Sequence, residues 1–135
     1  MSHRPGDLLA RAAEAATQAY CPYSSFRVGA ALLASDGHVF PGCNVENASF
    51  GLTVCAERNA LFAAVAAGHR QFAALAIVAD GEAPPYPCGA CRQVLAEFCA
   101  PDFPVYVQGL SQPDDFEHLV LGDLLPRAFN FPRSP

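Results

Sequence analysis

The chain has 135 residues, 52% of them hydrophobic and 16% charged, with a formal net charge of −5 at pH 7. That apolar content excludes a disordered chain, and the acidic balance argues against a domain that tracks a nucleic-acid backbone. All eight basic residues are arginine, which excludes chemistry needing a lysine amine, such as Schiff-base formation or P-loop nucleotide hydrolysis.

The length fits one domain over residues 1–135, large enough to bury roughly two-thirds of its unfolded surface without disulfides. No apolar run approaches the ~20 residues that span a bilayer, and the first six residues contain no apolar export segment. No membrane partner and a cytoplasmic location are therefore expected. The apolar excess over what one small core hides predicts a homo-oligomer.

In chain order, Asp7 reads as a helix cap, and Leu8, Leu9, Ala12, Ala16, Ala19 and Tyr20 recur at helical spacing. Pro22 should end that helix near Cys21. Residues 26–34 read as a buried strand, Ser35-Asp36-Gly37 as a tight turn, and residues 38–42 as the returning strand of a hairpin. Residues 43–54 are polar and read as loop. Residues 55–67 are rich in helix formers and are closed by Gly68. The apolar run 72–79 predicts a central strand covered on both faces. A proline-rich loop over 80–87 leads into a helix over 88–98, and residues 104–108 form a short strand. An edge strand over 117–120 and a short helix before Pro126 complete the reading. Helices alternating with strands in this way predict a three-layer α/β/α sandwich around a mixed sheet.

Two segments carry chemistry. In Pro87-Cys88-Gly89-Ala90-Cys91, two thiols three residues apart at a helix start face the same way. In Cys55-Ala56-Glu57, a third thiol also opens a helix, where free N–H groups and the helix dipole favour anions. If these helices lie side by side, three thiolates converge on one zinc ion and leave a fourth position open, the mark of a catalytic site. Glu57 then stands beside the metal without ligating it, placed to carry a proton. Two alternatives remain open here. The Cys-x-x-Cys could be a redox pair, or half of a structural zinc site completed by Cys99, Cys43 or His69. Cys21, Cys43 and Cys99 otherwise read as inert buried thiols.

Taken together, the segments match the signature of the zinc deaminases of nucleobases. The sequence resembles the small, homotetrameric, three-cysteine cytidine deaminases from Tyr20 to Phe129. The resemblance rests on Cys21-Pro22-Tyr23-Ser24 with Phe26, Val28-Gly29-Ala30-Ala31-Leu32, and Gly42-Cys43-Asn44-Val45-Glu46-Asn47-Ala48. It continues through Cys55-Ala56-Glu57-Arg58-Asn59-Ala60, Pro87-Cys88-Gly89-Ala90-Cys91-Arg92-Gln93 and Leu124-Leu125-Pro126 with Ala128-Phe129.

The resemblance implies a five-stranded mixed sheet and a zinc-dependent hydrolytic deaminase of cytidine and 2′-deoxycytidine, serving pyrimidine salvage. Cys55, Cys88 and Cys91 would hold the zinc, and Glu57 would shuttle the proton. Asn44 and Glu46 would bind the ribose hydroxyls. Phe26 would pack on the pyrimidine, and Phe129 would reach the base in a neighbouring subunit of a tetramer. Arg58, and with it Gln93, would offset the negative charge of the thiolates. Phe50 departs from the family, which often has tyrosine there. A three-cysteine deaminase of another cytosine nucleoside, such as the antibiotic blasticidin S, would share the zinc site and differ at Asn44-x-Glu46-Asn47.

Overall fold

The computed structural model describes residues 3–131; Met1 and Ser2, part of the segment read as lacking an export signal, lie outside it. Helix α1 (Pro5–Ala16) has Pro5 at its first position and Arg4 as its cap. Proline suits that place because the first N–H groups of a helix have no partner. Asp7, expected as the cap, sits one turn further in, where its carboxylate accepts the Arg4 amide at 3.4 Å. The helix also ends earlier than its apolar spacing suggested. Gln18 and Ala19 tighten into bonds with the Ala15 and Ala16 carbonyls, and Tyr20 departs to bridge Val45.

Five strands form one sheet: β1 (Val28–Ala34), β2 (Val39–Cys43), β3 (Phe72–Ala79), β4 (Pro104–Gly109) and β5 (Glu117–Val120). Their order is β2-β1-β3-β4-β5; β3 and β4 run parallel and the other neighbours antiparallel, so the sheet is mixed. Strand β1 starts two residues later than expected. Ser25 has a φ of 57°, and the Ser24 hydroxyl accepts the Phe26 amide, which turns Phe26 and Arg27 out of the ladder. The segment after β2, read as loop, contains a short 3-10 turn, Phe50–Leu52, and a bridge between Val45 and Val54.

Strand alternation divides the core in two. Ala30, Leu32, Leu75, Ile77, Val105 and Val107 face helices α2 (Ala56–Ala66) and α3 (Gly89–Phe98). Ala31, Leu33, Ala74, Ala76 and Val78 face α1, burying its Leu8, Leu9, Ala12 and Ala16. The result is the expected three-layer α/β/α sandwich, completed by the short helix α4 (Leu121–Leu124).

Two glycines set how closely the helices approach the sheet. A Cβ at Gly29 would lie 2.6 Å from the Ala16 amide nitrogen, and one at Gly42 would lie 2.5 Å from that of Ala60. Both would also strike helical carbonyl oxygens, those of Ala12 and Ala56. At these points α1 and α2 rest directly on strand backbone.

Candidate active site

Cys55 caps α2 and Cys88 caps α3, both in extended backbone. The two helices lie on the same face of the sheet, so their N-terminal ends bring the thiols together. The Sγ atoms of Cys55 and Cys88 are 3.8 Å apart, and those of Cys88 and Cys91 are 3.4 Å apart. All three sulfurs lie within 4.8 Å of one another. Tetrahedral thiolate coordination at about 2.3 Å from zinc needs sulfurs at roughly this spacing. The donor set therefore fits a zinc ion, and a redox pair would not call for the third sulfur. No fourth cysteine or histidine joins this group among the described residues, which disfavours the closed structural site.

Hydrogen-bond donors face two of the three sulfurs, those of Cys55 and Cys88. The Cys91 amide donates to Cys88 Sγ at 3.5 Å, and Arg58 Nη2 donates to Cys55 Sγ at 3.5 Å. The Cys91 thiol and the Arg58 guanidinium hold Cys55 down at about 5. Cys91, as the donor of that pair and itself buried, is pushed up. Arg58 is held more firmly protonated by the Cys55 sulfur, and its Nε is buried with no partner.

Glu57 is 5% exposed, and burial pushes its carboxyl above the usual carboxylate range, with the nearby Cys55 charge adding to the effect. It opens into a cavity of about 360 Å³ that it shares with Cys55, Cys88, Phe26 and Asn44. The opposite wall is the proline-rich loop, through Pro84, Pro85 and Tyr86.

Asn44 is buried, and each end of its amide bonds to backbone once, leaving one N–H and one lone pair for the cavity. Its Oδ1 accepts the Val28 amide at 2.9 Å and its Nδ2 donates to the Phe26 carbonyl at 2.8 Å. It thus fixes the turn that aims Phe26 at the cavity. Glu46 does not line the cavity. Its carboxylate accepts the Tyr23 and Ser24 amides at 3.0 and 3.1 Å and the Ser24 hydroxyl at 2.5 Å. Gln93 donates to the Phe129 carbonyl at 3.1 Å, not to a sulfur, and Phe129 is 70% exposed outside the cavity.

Three positioning contacts had no counterpart in the sequence reading. Arg92 donates from Nε to the Pro87 carbonyl at 2.6 Å and from Nη1 to the Leu124 carbonyl at 2.7 Å, so it clamps the turn that carries Cys88. Its place directly after Cys91 was the available signal. Arg27 binds Asp80, and the Tyr86 hydroxyl donates to Glu117 at 2.6 Å, both tethering the proline-rich loop. Their partners are too distant in sequence to be read from it.

Residues 4–107 match the family described as the cytidine and deoxycytidylate deaminase zinc-binding region. The chain belongs to the cytidine deaminase family. A cytidine deaminase of Sporosarcina psychrophila is 54% identical over 123 residues, covering 91% of this chain and 89% of that protein. One of Mycobacterium tuberculosis is 43% identical over 132 residues, covering 95% of this chain and 91% of that protein. The crystal structure of cytidine deaminase from Burkholderia pseudomallei superposes with a TM-score of 0.88 at 51% identity, covering 96% of this chain and all of that one. Zinc is the metal of this deaminase family, and the cluster of Cys55, Cys88 and Cys91 provides the place for one ion. None of the helices among the described residues is long and apolar enough to cross a membrane.

Proposed function

We propose that the chain catalyses hydrolytic deamination of cytidine and 2′-deoxycytidine, giving uridine or 2′-deoxyuridine and ammonia. The observation that carries this reading is the buried Glu57 carboxyl, which shares one cavity with two of the three converging thiols. Bound zinc would supply Lewis acidity toward water at neutral pH. Every proton movement is then assigned to Glu57. Its carboxylate takes a proton from the attacking water and delivers one to N3 of the base. It then takes the proton from the hydroxyl newly added at C4 and delivers it to the amine, so that the C4–N bond breaks, ammonia leaves and the C4 carbonyl forms. Burial favours this task, because a carboxyl with a raised pKa holds and releases a proton nearer neutrality.

Arg58 is assigned to the sulfur of Cys55, where its charge offsets the net −1 of three thiolates on Zn²⁺. Phe26 offers its ring to the pyrimidine from the cavity wall. Asn44 and Glu46 are assigned to the ribose hydroxyls. For Glu46 this requires its carboxylate to exchange one of its present bonds to Ser24. Phe129 is assigned to the cavity of a neighbouring subunit, a reading favoured by its exposure outside its own. Gln93 would hold the segment that carries Phe129, instead of serving the sulfurs.

The assembly proposed is a homotetramer in the cytoplasm, with a role in pyrimidine salvage. Large apolar side chains left on the surface support self-association: Phe50, Leu52 and Phe62 are each about half exposed or more. The deciding experiment follows the loss of cytidine absorbance in the ultraviolet, with and without a zinc chelator. Chelator-sensitive formation of uridine is expected. A folded, zinc-loaded protein that leaves cytidine unchanged overturns the substrate assignment.

A further inference from the structure

A second group of metal-ligand side chains lies at the other end of β1 from the cavity. Asp36 and His38 belong to the tight turn between β1 and β2, where Gly37 has a φ of 99°. His69 follows Gly68, which closes α2 with a φ of 97°. His69 Nε2 lies 2.9 Å from Asp36 Oδ2, and His38 Nδ1 lies 3.2 Å from Asp36 Oδ1. The three donor atoms fall within 4.8 Å of one another.

We propose that Asp36, His38 and His69 form a second metal site, which binds a divalent transition-metal ion through two imidazole nitrogens and one carboxylate. Each nitrogen faces a carboxylate oxygen at close range, so a proton or a cation must stand between them. One dication can fill both gaps at once. Zinc-type ions hold nitrogen and oxygen at about 2.0–2.2 Å, which in a tetrahedron separates the donors by roughly 3.4 Å. The two gaps need to widen by only a few tenths of an ångström.

The backbone holds the donors in place. The His38 amide donates to Asp36 Oδ1 at 3.1 Å, and the His69 amide donates to the Ala64 carbonyl at 3.0 Å in the cap of α2. The His69 ring packs edge-on to Phe40 and His38, with centroids 4.8 and 5.3 Å away. Its Nδ1 is buried and unpartnered, which leaves Nε2 as the nitrogen that serves the cluster. His38 and Asp36 are 70% and 53% exposed at their side chains, so an ion can enter and retain water. Arg70, next to His69 in sequence, is occupied by the carbonyls of Val65 and His69 at 2.9 Å. Imidazole with carboxylate suits Zn²⁺, Ni²⁺ and Cu²⁺ over Mg²⁺ or Ca²⁺.

The test uses protein that already holds one equivalent of zinc. It is titrated with Ni²⁺ by calorimetry, and the metal content is measured by mass spectrometry after gel filtration. One further equivalent per chain, with the zinc retained, is expected for the wild type. His38→Ala and Asp36→Asn, both at exposed positions, should each weaken that step at least tenfold while leaving the zinc and deamination unchanged. A wild-type chain that gains no further equivalent, or exchanges its zinc for nickel without gaining one, overturns the proposal. So does a second equivalent that survives within tenfold in either variant. The two imidazoles would then be simple hydrogen-bond donors to Asp36.

Discussion

Arg27 holds Asp80 with its main chain and its side chain together. Its backbone amide donates to Asp80 Oδ2 at 2.8 Å, and its Nη2 donates to Oδ1 at 2.9 Å. Asp80 directly follows the central strand and opens the proline-rich loop, and Arg27 adjoins Phe26 in sequence. The pair therefore joins the two sides of the cavity mouth, Phe26 on one and the proline-rich loop on the other.

This pairing has kinetic and pH consequences. Asp80→Ala should raise the KM for cytidine severalfold with a smaller change in kcat, since it loosens walls and not the sulfurs. Steady-state kinetics reads the split. The Arg27 guanidinium and amide hold the Asp80 carboxyl below the usual carboxylate range. A depressed folded value means that its stabilisation is present above the ordinary Asp range near about 3.9 and is lost as pH falls through the folded value. Asp80→Asn should flatten that acid limb of a urea-unfolding series.

Glu57 and Arg58 are neighbours with different duties, and substitution should separate them. Glu57→Gln is expected to keep its zinc and lose a factor of at least about 10²–10⁴ in turnover, the usual range for a positioned proton carrier. Arg58→Ala should keep more activity and hold zinc about 10–100-fold less tightly, as expected when a group bonded to a metal ligand is removed. Metal analysis beside the activity assay checks both. Equal losses of turnover with unchanged zinc affinity would remove the role assigned to Arg58.

Asn44 should reveal itself in stability before catalysis. It meets a backbone donor and a backbone acceptor at once, and removing it strands both. Asn44→Ala is expected to cost about 1–3 kcal/mol, because buried polar groups are left unpaired. Urea denaturation without substrate measures this. A variant as stable as the wild type would confine Asn44 to substrate recognition.

Much of this architecture was legible in the residues. The apolar run Phe72–Ala79 is the central strand within the bounds expected, because a strand covered on both faces needs no alternation. Cys55 and Cys88 both cap helices, in keeping with the reading that each thiol opens a helix directly after a loop. The end of α1 was not legible, since Tyr20 is drawn off by Val45, a partner distant in sequence. Asn44 and Glu46 looked like free loop groups for the same reason. Their partners, from Tyr23 to Val28, become neighbours only once the hairpin has folded.

Gly42 offers a test of how α2 is seated. A methyl group there meets the Ala56 carbonyl and the Ala60 amide, with no flexible side chain to move aside. Gly42→Ala should destabilise the fold by about 1–3 kcal/mol, as overpacking does. It should also displace Cys55 and Glu57 and slow deamination. Thermal unfolding together with zinc content checks both effects.

The bare glycine contacts beneath α1 and α2, at Gly29 and Gly42, also predict where the molecule moves. Where backbone lies on backbone there are few rotamers to exchange, so the corner of β1, β2, α1 and α2 should behave as a stiff frame. The cavity wall is seated only at its start, where the Gly81 and Glu82 backbone rests on Gly109; residues 83–87 beyond it are tethered through the Tyr86 hydroxyl to Glu117. Amide hydrogen exchange should therefore be slowest at Ala30–Leu32 and fastest at Ala83 and Tyr86, the amides of the wall segment that lies beyond the Gly109 contact.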